Sequence, residues 1–141
     1  MKKIVVIALA ASMLVACSEK TEYEQAVLED MQEEKDVKDY HLSPETMARC
    51  VIDLSSHNMP GVLAFDPKRR AAYRSYTKML TLSKAENPEE VLNELRDEFG
   101  SPKELAEAHA NYTESMMNCF ASLIMTTEEE AKEAKEAKEA E

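Results

Sequence analysis

Glycine is almost missing from this chain, with two residues in 141, and tryptophan is absent altogether. So few glycines leave little material for the positive-φ turns of tight hairpins, which argues against an extended sheet. A glycine-rich phosphate loop and the Gly-x-Ser-x-Gly turn of serine hydrolases are excluded too. Neither His-Glu-x-x-His nor Cys-x-x-Cys-His occurs, so the zinc-protease and haem-attachment signatures are also missing. Paired carboxylates such as Glu89 and Glu90 read as helix-start and surface residues, so a non-enzymatic protein is expected. Positive charge is scarce, 17 basic residues facing 28 acidic ones. A body that acidic is a poor general partner for nucleic acid. Long hydrophobic runs are lacking as well. The apolar stretch from Ile4 to Val15 is short of the roughly 20 residues that a bilayer span requires. What remains plentiful is Ala, Glu, Lys, Leu and Met, all strong helix formers, so the chain is expected to be all-α.

The N-terminus has a definite order: basic Lys2 and Lys3, the apolar run, then small Ala16 before Cys17. That order is the plan of an export signal, here residues 1-16. Leu14-Val15-Ala16-Cys17 resembles the lipobox of bacterial lipoproteins. The resemblance implies cleavage before Cys17, which then carries a diacylglycerol and an amide-linked acyl chain such as palmitate. It further implies a periplasmic body tied to the outer membrane, since Ser18 rather than Asp follows the cysteine; the inner membrane is the alternative. Several acyl chains on one residue anchor stably, whereas a single chain is marginal. Without Lys2 and Lys3 the mature chain sets fifteen basic residues against 28 acidic ones, a net charge of −13.

Four dipeptides mark helix starts: Ser43-Pro44, Asp66-Pro67, Asn87-Pro88 and Ser101-Pro102. Proline suits the first helical position, where its missing N–H would be unpaired anyway, and the residue before it caps the first turn. Glu90 and Glu104 lie three residues after Asn87 and Ser101, as capping boxes require. The expected helices run from Pro44 to about His57, Pro67 to about Ala85, Pro88 to Phe99 and Pro102 to about Met125. Met47, Cys50, Leu54 and His57 form the expected seam of the first. Leu105, His109, Tyr112, Met116, Cys119 and Leu123 form that of the last. Residues 17-42, with a weak stripe of Tyr23, Val27 and Met31, are expected to be a lipidated cysteine and an acidic stalk. Residues 127-141 are expected to be a charged Glu/Ala/Lys tail.

Short connections favour an up-down four-helix bundle over residues 43-126. With Cys17 lipidated, Cys50 and Cys119 remain, and an oxidising compartment pairs them as one disulfide. In an antiparallel pair of first and last helices, that bridge places residues whose numbers sum to 169 roughly opposite each other. His57 then approaches Tyr112, with His109 a turn away.

Three groups are candidate sites. Lys68, Arg69, Arg70, Arg74 and Lys78 gather five cations within eleven residues, and three of them sit in a first turn whose dipole disfavours cations. They form either a site for an anionic envelope component or an acidic partner protein, or internal ion pairs with nearby carboxylates. His57, Met59 and His109 are a weaker alternative, a copper or zinc site near one bundle end. Met47-x-x-Cys50 and Met116-x-x-Cys119 put thioethers and thiols on matching faces, either as Cu(I) ligands or as a disulfide among core methionines. The leading expectation is a protein without a cofactor that is anchored to a membrane by lipid and binds another envelope component. A periplasmic metal or small-ligand carrier is the alternative.

Overall fold

The computed structural model describes residues 18-63, 65-133 and 135-138, side chains included. The expected leader, residues 1-16, and the expected lipidation site Cys17 lie outside the described residues. Six helices and no strand occur among the described residues, so the chain is all-α. They are α1 (Lys2–Glu33, described from Ser18), α2 (Lys35–Asp39), α3 (Pro44–His57), α4 (Pro67–Leu80), α5 (Pro88–Phe99) and α6 (Pro102–Glu139). A 3-10 turn, Leu82–Lys84, follows α4.

All four proline dipeptides open helices where the sequence predicts them. Ser43 Oγ accepts from the Thr46 N–H at 3.2 Å, and Asp66 Oδ1 from the Lys68 N–H at 2.9 Å. Ser101 Oγ accepts from the Glu104 N–H and donates to the Glu104 carboxylate, both at 3.2 Å. Asn87 differs: its amide donates to the Glu90 carboxylate rather than capping the backbone. Gly100, at φ +98°, ends α5 in the left-handed conformation that glycine adopts at least cost.

The expected stalk is overturned by the packing. Tyr23, Val27 and Met31 are fully buried, and α1 lies against both α3 and α4. Its stripe is narrow, but every member lands in the core. The order of contacts is a ring: α1 on α3, α3 on α6, α6 on α5, α5 on α4, and α4 back on α1. An up-down bundle of the four proline-started helices alone is therefore corrected, because α1 is inserted between α3 and α4. That insertion also turns α3. Met47 stays buried, but Ala48, Val51 and Ser55 join it, while Leu54 and His57 of the expected seam are exposed.

Cys50 and Cys119 form the disulfide, with Cα atoms 5.8 Å apart. The register it sets extends to the helix ends, where the Asn58 amide donates to Asn111 Oδ1 at 2.8 Å. Those two numbers also sum to 169. Beyond Ile124 the described residues of α6 are exposed, so its charged end leaves the body at the level of the start of α3.

Candidate functional site

Most of the basic run on α4 is engaged by partners within the chain. Glu19, 6% exposed, sits two residues after Cys17 and accepts from Arg70 at 2.7 Å and Arg74 at 3.1 Å through one oxygen. Residues 70 and 74 are one helical turn apart, so both guanidinium groups reach the same carboxylate. The hydrogen bond from Arg70 holds the Glu19 carboxyl below its ordinary value, against the opposing effect of burial. Its other oxygen, Oε2, is buried and has no hydrogen bond among the described residues. Farther along α4, Lys78 pairs with Glu94 at 3.1 Å and with Glu98. Burial pushes the Glu98 carboxyl up, but bonds from Lys78 and Ser75 outweigh it and leave it lowered.

Arg69 has a different task. Its guanidinium donates to the Gly61 carbonyl, with Nε at 3.1 Å, and also to the Ser56 carbonyl, tying the α3–α4 loop to α4. Gly61 permits this approach: it lies at φ +88°, and a Cβ there would come 2.7 Å from the Arg69 backbone nitrogen. Of the five predicted cations, Arg70, Arg74 and Lys78 are thus paired internally and Arg69 is a loop clamp. Lys68 is exposed and forms no ion pair among the described residues. The run is not a free anion-binding surface.

The proposed metal ligands are not gathered. His57 and Met59 line one cleft with Lys20 and Arg69, whereas His109 lines another with Leu82, Leu92 and Arg96. Met59 is buried and both histidines are exposed. No group of three or more His, Cys, Asp or Glu side chains arranged to hold a metal occurs among the described residues. Because Cys50 and Cys119 are bonded to each other, neither offers a thiolate to copper.

Sequence reasoning passed over the polar network behind α4. Ser55 donates to the Val51 carbonyl at 2.6 Å, which leaves Tyr23 to donate to Ser55 Oγ, also at 2.6 Å. Tyr23 packs between Tyr73 and Tyr76, its ring centroid 5.5 and 5.9 Å from theirs. Asn111 donates to Tyr76 Oη and to the Ser55 carbonyl, each at 3.0 Å. Tyr112 donates to Asp30 at 2.6 Å. Burial raises the hydroxyl pKa values of Tyr23, Tyr76 and Tyr112, and Asp30 raises that of Tyr112 further, so all three stay protonated. The network joins α1, α3, α4 and α6.

Asn111 and Tyr76 also reach an open cleft of about 750 Å³ between α4, α5 and α6. Phe99 and Ala108 supply apolar wall, while Glu98, Glu104, Glu107 and Glu114 make its rim acidic against the single cation Lys68. Such a surface suits a partner offering an apolar side chain flanked by positive charge. The only advance signal for it was the acidic spacing along α5 and α6.

Comparison of this chain with family models, with curated proteins and with solved structures finds no match.

Proposed function

We propose that this chain is a lipid-anchored, non-enzymatic protein of the periplasmic face of the outer membrane that binds another envelope component. The observation that carries this reading is the position of Glu19. Two residues beyond the lipobox cysteine, the chain is already buried and clamped by Arg70 and Arg74. A lipid on Cys17 would therefore hold a rigid bundle at the membrane rather than trail it on a tether. The acidic cleft is the surface this reading assigns to the partner, which would bring cationic and apolar side chains. An anionic partner on α4 has little support, because its arginines and Lys78 are occupied. The copper or zinc carrier loses its geometric basis with His57 and His109 in separate clefts.

Two measurements test this. Metabolic palmitate labelling should mark the protein, and Cys17→Ser should abolish the label and release the protein from the membrane fraction. A photoreactive residue replacing Glu107 should give a discrete adduct in intact cells that Glu104→Lys weakens. An adduct from position 68 alone would restore the anionic-partner reading instead.

A further inference from the structure

Exposed large apolar residues are few, and three of them sit together. Val62, Leu63 and Phe65, in the loop between α3 and α4, are 89%, 53% and 67% exposed. Isolated apolar residues on a surface are ordinary, but three on one loop tip form a patch that water disfavours. The loop is held in place rather than slack. Met59 at its start is buried, Arg69 grips the Gly61 carbonyl, and the Asp66 N–H donates to the Leu63 carbonyl at 2.9 Å. A pinned loop loses little freedom when its side chains enter another phase.

Its place in the fold says what that phase is. The described chain begins at Ser18, one residue after Cys17, and Glu19 is locked to the start of α4, which is also where the loop ends. Lys20 and Val62 line the same cleft, so the loop and the beginning of the mature chain are neighbours. The opposite end of the body releases the Glu-rich part of α6.

We propose that Val62, Leu63 and Phe65 insert into the interfacial layer of the leaflet that holds the acyl chains of Cys17. The lipid and the loop then make two contacts on one end of a rigid body. Two contacts fix its tilt, and the acidic end of α6 stands away from the membrane. This inference rests on the lipoprotein reading of Cys17.

The chain has no tryptophan, so Phe65→Trp places a single fluorophore at the tip. Full-length acylated protein carrying that substitution is purified from membranes and reconstituted in phosphatidylethanolamine/phosphatidylglycerol vesicles. Its tryptophan emission should be blue-shifted and quenched by acyl-chain-brominated lipid. Met125→Trp, on α6 away from the anchor, should show neither effect. The triple variant Val62→Ser/Leu63→Ser/Phe65→Ser should keep its thermal midpoint, since these side chains are exposed. In a Cys17→Ser background, the native loop should bind the same vesicles at least about tenfold more strongly than the triple variant, since burial of even one of the three side chains contributes that much. Mass spectrometry of the reconstituted protein separates the two claims. An unacylated Cys17 overturns the anchor and the insertion with it. Acylated protein whose tip fluorophore is unquenched overturns the insertion alone. A tip fluorophore shielded only when a protein partner is added overturns it in favour of a protein contact.

Discussion

Replacing Tyr23 by alanine should cost this protein about 3–5 kcal/mol, close to the whole stability of a small domain. The figure follows from the surroundings of the ring. Tyr23 is 0% exposed, and burying an aromatic side chain of about 200 Å² at about 25 cal/mol/Å² contributes about 5 kcal/mol. Truncation keeps only Cβ and forfeits two aromatic contacts, with Tyr73 and Tyr76. Tyr23→Phe separates the ring from its hydroxyl. Ser55 keeps its own bond to the Val51 carbonyl, so losing the tyrosine hydroxyl should cost only about 1 kcal/mol. The assay is urea unfolding followed by circular dichroism, on leaderless Cys17→Ser protein with the disulfide intact. If residues 17-42 were a solvated stalk, both substitutions would be silent. A loss below about 0.5 kcal/mol for Tyr23→Ala would refute the packing of α1.

Other consequences follow from the same contacts. Cys50→Ser/Cys119→Ser should lower stability by about 4 kcal/mol, from the 69-residue separation that the bridge closes, and unreduced protein should titrate no free thiol once Cys17 is acylated. Arg70→Ala/Arg74→Ala should lower the urea midpoint by stranding the buried Glu19 carboxylate, whereas Lys68→Ala should leave it unchanged; equal effects would mean that Glu19 is not held as described. Glu19 carries a lowered pKa, chiefly through the Arg70 hydrogen bond, so the stability it contributes is present above its ordinary value of 4.5 and is lost as the pH falls through the lowered value. Unfolding midpoints measured from pH 6 to pH 3 should therefore fall less steeply in Glu19→Gln than in the native chain.

What could be read in advance was whatever short-range chemistry determines. A capping side chain before proline specifies a helix start within a few residues, and all four such starts are used. Cys50 and Cys119, expected as a pair, are bonded, and the pair specifies a register that Asn58 and Asn111 confirm. The role of α1 was hidden because Tyr23, Val27 and Met31 give one apolar position per turn amid acids, a pattern shared by solvated helices. Only the facing tyrosines of α4 and Ser55 of α3 make that stripe a core, and those partners lie 32 to 53 residues away in the chain. Internal pairing of the basic run was legible as one of its two readings, and its partners Glu19, Glu94 and Glu98 fall in the stalk segment and the third expected helix. Which carboxylate meets which cation was not legible, because that depends on how α1 and α5 pack on α4. His57 and His109 do not meet: both lie on exposed faces and line separate clefts.

The packed body begins at Glu19, two residues after Cys17, the proposed lipidation site. Amide hydrogen exchange over residues 19-33 of the acylated protein tests it most directly. This account predicts protection comparable to that of α3 and α4, on the order of 10³-fold or more. Exchange of that segment at the unprotected rate, alongside protected α3 and α4, would contradict it.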